Sequence, residues 1–425
     1  MRGVFKGLTG GVAALGAMAL LLAGCSTDAG SSGQSGNKLT IAWKGSEKLG
    51  IDAVVEQYKK DFPGREVVVT TADVEQYQAT LRTQISAGTA ADVVFVWPGD
   101  GNPGAIRQIA PGGFLEDLSG HDWVKKYPAS LKPLTEVDGK TYLMAPTVTA
   151  FGPFYNDAAL KEVKATAPKV WDEVIPFCKA ARAAGKSAFA LGAAALNNTQ
   201  NPLYSLVPSL VYGADRNFDE QLKGGQTSFA RNAGWKEAMQ KYKDMVDAGC
   251  FNDNSTGTTT DQQIQLVASG KSLGMFTIAY QLGALVKAAP NAKFVFQPLT
   301  ATNDPGSLLL AASSAGGAAV NSKAKNKQLA LEFVDYLASA KVMKIYNNAL
   351  MGAVPSISTG ETVSDENLAM IVQYVDSGKT VPFLNQSWPN ARVEQAMYSA
   401  IQAMIAGSGS PAAVLSAMDA EYQRR

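Results

Sequence analysis

From residue 39 onward the apolar positions alternate between two periods. Leu39-Thr40-Ile41-Ala42-Trp43 predicts a strand, and Lys44-Gly45-Ser46 turns the chain. Leu49 to Asp61 predicts a helix with Ile51, Val54, Val55 and Tyr58 on one face, stopped by Pro63-Gly64. Glu66 to Thr70 is the next strand. Tyr77 to Ala87 is a second helix with Leu81 and Ile85 inward and Gly88 at its C-cap. Asp92 to Trp97 is almost wholly apolar, as a central parallel strand should be. Strand-helix-strand-helix-strand predicts an α/β sheet, in which ligands bind beyond the C-terminal strand ends.

The later chain repeats these patterns. Helices are expected from Pro168 to Gly185, Leu203 to Tyr212, Trp235 to Ala248, Gln262 to Ala268, Lys327 to Ala338, Val393 to Ala406 and Pro411 to Tyr422. Strands are expected at Ala188 to Leu191, Ser272 to Ile278, Phe294 to Phe296 and Gly316 to Val320. Between the two halves lies Val137 to Asp157, VDGKTYLMAPTVTAFGPFYND. Here β-prone runs are separated by Pro146 and by Gly152-Pro153 with no helix between them. The pattern fits a chain leaving one sheet for another, and equally an extended loop.

Length and charge narrow the function. At 425 residues the chain suggests two or more domains. A formal charge of +1 lacks the basic excess of a nucleic-acid binder. His121 alone cannot make a multi-histidine zinc site, and no G-x-S-x-G elbow accompanies it. Gly99 to Gly104 matches GxGxxG, but after the third strand and interrupted by Pro103, so no dinucleotide cofactor is expected. Ser322-Lys323-Ala324-Lys325 matches S-x-x-K without its companion motifs. No metal, cofactor or catalytic set is expected. A glycosidase carboxylate pair remains a remote alternative.

The N-terminus carries Arg2 and Lys6, then an uncharged Ala- and Leu-rich run from Gly7 to Gly24. Leu22-Ala23-Gly24-Cys25 resembles the lipobox of bacterial lipoproteins, which implies cleavage before a lipid-modified Cys25. Loss of Arg2 and Lys6 takes the formal charge from +1 to −1. Ser26 to Asn37 is a polar tether with an r.m.s. span of about 20 Å. Cys178 and Cys250 remain in an exported chain, either bridged or as two buried thiols.

The order DGK-Y-x-x-x-P, F-Y-N-D, P-x-x-W-D-E-V across residues 138–174 resembles the first interlobe crossover of bacterial extracellular solute-binding proteins, the sugar receptors of ABC importers. Gly112 to Leu118, the run SGKSLGMFTIAY ending at Tyr280, and the helix from Lys327 extend the resemblance over nearly all of Leu39 to Tyr422. It implies an α/β, two-lobe periplasmic-binding-protein fold (type II), each lobe a mainly parallel sheet flanked by helices, with three hinge crossovers. These would lie at Thr147–Gly152, Phe296–Leu299 and Gly352–Pro355. The signal segment would be 1–24 and the tether 25–37. The first lobe would be 39–148 plus 297–353, and the second 149–296 plus 354–425. The implied function is a lipid-anchored receptor on the outer face of the cytoplasmic membrane, likewise monomeric, binding a small sugar and delivering it to ABC permease subunits. Another small polar ligand, or a sensor or adhesin role, are the alternatives. Aromatic faces suit the C–H face of a sugar ring, and amides and charges suit its hydroxyls. The expected ligand-binding set is Trp43, Lys44, Trp97, Asp100, Thr149, Asn197, Asn198, Tyr280 and Trp388.

Overall fold

The structure, a computed structural model, describes residues 35–128, 131–357 and 365–424. The signal segment, Cys25 and the tether up to residue 34 lie outside the described residues. Among the described residues no helix is long and apolar enough to cross a membrane.

Two sheets organise the chain. The first has four strands in the order Gly317–Val320, Val93–Val96, Lys38–Lys44, Glu66–Ala72. Lys38–Lys44 runs parallel to both of its neighbours, and Gly317–Val320 closes the edge antiparallel. Helix Lys48–Asp61 covers this sheet with Ile51, Val54, Val55 and Tyr58, the face the period predicts. Helix Val74–Ala87 buries Tyr77, Leu81 and Ile85 and ends on Gly88 at φ 72°.

The second sheet has seven strands and is mixed, which corrects the expectation of a mainly parallel one. Its spine is Thr147–Asn156, antiparallel to Ser272–Ile278, Phe294–Phe296, Leu310–Ser313 and Ala353–Pro355. The reason is the route in. This strand arrives straight from the other lobe, without the helical return that a parallel pairing requires. It also runs unbroken through Gly152-Pro153, where the sequence predicts a stop. A Cβ on Gly152 would stand 2.6 Å from the Phe296 ring, so the glycine admits a close neighbour instead of turning the chain.

The crossings differ from expectation in one place. After Phe294–Phe296 the chain stays with the second lobe. Thr300 N–H donates to the Lys169 carbonyl and Trp171 N–H to that of Thr302, and Leu310–Ser313 joins the spine strand. The second crossing is therefore at 314–316, not 296–299, and residues 297–313 do not belong with the first sheet. Pro298 marks an irregular stretch, which sequence alone cannot tell from a hinge. Gly316, at φ 124°, makes this turn, and a Cβ there would meet the Phe95 ring at 2.4 Å. The first and third crossings are bonded to one another. Asn347 Nδ2 donates to the Pro146 carbonyl at 3.0 Å, and Thr149 Oγ1 to the Gly352 carbonyl at 2.8 Å.

Helices Ala233–Asp247, Ala391–Ile405 and Pro411–Tyr422 pack together on the second lobe. Cys178 and Cys250 are joined, Sγ to Sγ 2.03 Å, which resolves the two alternatives left by the sequence. Closing a loop with a sequence separation of 72 residues restricts the unfolded chain. Replacing both cysteines by Ala should cost about 2–4 kcal/mol of unfolding free energy in urea titration. An unchanged midpoint would show that the bridge does not stabilise the fold.

Candidate functional site

The two sheets face a cavity of about 560 Å³, within the size range of small-ligand sites. Its first-lobe wall begins where the strand Lys38–Lys44 ends. Lys44 is buried, with Nζ 2.8 Å from the Glu47 carboxylate. It also donates to Tyr280 Oη at 3.3 Å and lies 4.4 Å from the Phe95 ring centroid. Burial would lower the lysine's pKa, but Glu47 and then Tyr280 outweigh it, so the pKa is raised and Lys44 stays charged. Glu47 is fully buried and Tyr346 donates its hydroxyl to it. The pair thus sits in an aromatic box of Phe95, Trp97 and Tyr280.

The opposite wall combines aromatic rings with side-chain amides. Phe151 and Tyr204 stack at 3.9 Å with 9° between their planes, and Phe383 meets Phe151 edge-on at 4.9 Å. A directed chain of hydrogen bonds runs from there. Tyr204 Oη donates to Gln200 Oε1 (3.1 Å), Gln200 Nε2 to Tyr398 Oη (2.6 Å), and Tyr398 Oη to Glu394. Burial pushes the Glu394 carboxyl up to about 7, partly offset by Tyr398 and the nearby Asn385 amide. The two walls touch where Asn197 N–H donates to Glu75 Oε1 at 3.3 Å.

Of the expected residues, Lys44, Trp97, Asn197, Asn198 and Tyr280 line this cavity. Four do not. Trp43 is fully buried in the first core, its indole N–H donating to Tyr346 Oη at 3.0 Å, because the alternation of its strand points it inward. Asp100 turns away to accept from Gln108 Nε2 at 2.7 Å. Thr149 is buried behind the crossing, bonded to Gly352. Trp388 packs at 1% exposure against Phe229 and Trp235. The sequence reading missed Phe151, Gln200, Tyr204, Phe383, Glu394 and Tyr398. Phe151 had a signal, since it lies inside the crossover stretch. Glu394 and Tyr398, one turn apart on a helix, look like any core-facing pair. No cluster that could hold a metal occurs among the described residues.

The comparisons with known proteins agree with this architecture. The profile of the bacterial extracellular solute-binding protein family matches residues 44–344. The chain belongs to that family. It is 22% identical over 383 residues to the multiple sugar-binding protein of Streptococcus mutans, covering 88% of each chain. It is similar in fold to a family 1 extracellular solute-binding protein from Bifidobacterium longum subsp. infantis (TM-score 0.64, 23% identity, 91% of this chain and 99% of that one). It is also similar to a sugar transporter from Bacillus licheniformis in complex with stachyose (TM-score 0.72, 20% identity, 91% and 99%). The family's two-lobe α/β fold is the one observed here.

Lys44→Met would leave Glu47 buried without its cation and should cost about 3–5 kcal/mol. Adding Glu47→Leu should recover most of that loss in denaturant titration, and no recovery would mean the pair is not coupled. Glu394 holds its proton above the unfolded value of 4.5, so between about 4.5 and about 7 the native state binds more protons. Stability from this group is therefore complete below the unfolded value and lost as pH rises through about 7. Thermal unfolding of the ligand-free protein should show that decline, and Glu394→Gln should remove it.

Proposed function

We propose that this family member is a receptor for a mono- or oligosaccharide, held between the lobes and handed to an ABC permease. The observation that carries the reading is the pairing in one interlobe cavity of aromatic faces, Trp97, Phe151 and Tyr280, with the amides Asn197, Asn198 and Gln200. Sugar rings need both kinds of surface at once. The stachyose complex of the Bacillus relative and the name of the Streptococcus relative support the same class of ligand. On this reading the protein has no catalytic role.

Three crossings join the lobes, contacts such as Lys44 with Tyr280 and Asn197 with Glu75 hold the walls together across the cleft, and a ligand that touches both walls favours the closed arrangement. Cys25, through its lipobox-like context, would anchor the body to the outer face of the cytoplasmic membrane, with the polar tether leaving it free to meet a permease. The receptor acts as a monomer.

Calorimetry against neutral mono- to tetrasaccharides tests this. At least one should bind, with a smaller radius of gyration in solution scattering. Trp97→Ala should weaken that binding by about 1–3 kcal/mol. Asp100→Ala should leave it within about 0.5 kcal/mol, because that carboxylate faces Gln108. Equal losses in both variants, or none in either, would move the site elsewhere.

A further inference from the structure

Four carboxylates line the cleft: Asp73, Glu75, Asp261 and Glu394. Asp73 and Asp261 are exposed and Glu75 is half-buried, whereas Glu394 is 3% exposed. Tyr398 occupies one of its oxygens. The other, Oε2, is buried and has no hydrogen bond of full geometry among the described residues, the Asn385 amide standing near enough to lower the carboxyl's pKa. The groups facing Glu394 are few. Tyr398 lies on its own helix, the Asn385 amide comes from the loop before that helix, and Glu75 faces it across the cleft from helix Val74–Ala87. Tyr204 is the remaining neighbour. No base is among them, and Lys44, the one lysine or arginine lining the cavity among the described residues, is already paired with Glu47.

A buried acceptor without a full hydrogen bond, on a residue that lines a polar cavity, is costly unless a donor reaches it. We propose that Glu394 determines which sugars this cleft accepts: its open oxygen takes a hydroxyl donated by the ligand, so neutral sugars bind and sugars bearing a carboxylate are excluded. This rests on the carbohydrate reading above and adds the class of sugar. A uronic acid would bring a further anion to a place where Glu75 and Glu394 already face one another and no unpaired Lys or Arg among the described residues lines the cavity. A neutral sugar instead supplies the missing donor. Because a hydroxyl donor favours the ionised carboxyl, binding is coupled to loss of the proton that burial keeps on Glu394 near neutrality.

The test is calorimetry with galactose, glucose, raffinose and stachyose, with galacturonic and glucuronic acids as the acidic counterparts, between about pH 5.5 and about pH 8. The wild-type protein should bind at least one neutral sugar roughly tenfold more tightly at the upper pH, and its uronic counterpart far more weakly. Glu394→Gln mimics the protonated acid. Its affinity should be flat with pH, at the wild type's low-pH level, and its discrimination against the uronic acid should shrink about tenfold. Glu75→Gln removes the neighbouring charge and should move the wild-type pH midpoint downward, a readout that survives if the first variant does not fold. A neutral sugar that binds with the same pH profile and acid discrimination in Glu394→Gln would overturn the proposal while leaving the receptor reading intact. An unmoved midpoint in Glu75→Gln would overturn it as well. Failure of every sugar to bind the wild-type protein would overturn the carbohydrate reading, and this inference with it.

Discussion

Thr147–Asn156 is the constraint on which the rest of the molecule depends. One strand leaves the first lobe, becomes the centre of the second sheet, and pairs with four others along its length. Its N-terminal half is bound to the third crossing, its middle supplies Phe151 to the cavity wall, and its C-terminal half holds the strand Phe294–Phe296. Crossing, cavity wall and core are thus laid on ten consecutive residues. A residue change here cannot affect one of them alone, because side chains alternate faces along a strand and the ladder bonds fix the register.

The cleft itself is built from unlike halves. The first-lobe wall is held by a buried ion pair among aromatic rings, Lys44 with Glu47. Its opposite is held by neutral and weakly acidic groups in a one-way hydrogen-bond chain from Tyr204 to Glu394. Lys44 is held charged on one side, and burial holds the proton on Glu394 on the other.

Much of this was legible before the structure. The helices with a clean apolar stripe, Lys48–Asp61 and Lys327–Leu337 among them, lie within a residue or two of expectation, since period and capping are local properties. The family resemblance held over the matched span. What failed was long-range. Nothing local in Leu310–Ser313 says which sheet it joins, so the second crossing was placed too early. Strand-end aromatics divided according to which way alternation points them: Trp97 to the cavity, Trp43 to the core. Asp100 reads as a loop carboxylate beside a cleft, and only the position of Gln108, 8 residues later, shows that it is spoken for.

Among the described residues, Lys44 is the one Lys or Arg that lines the cavity. With Lys44 matched by Glu47 at 2.8 Å, no unbalanced positive charge projects from the mouth to draw anions in. An uncharged solute has no field to follow either. Its encounter rate should then be insensitive to ionic strength, unlike electrostatically steered receptors whose capture slows as salt shortens the Debye length. On the proposed receptor reading, uptake at low solute concentration would then depend on opening of the lobes about the three crossings rather than on electrostatic capture.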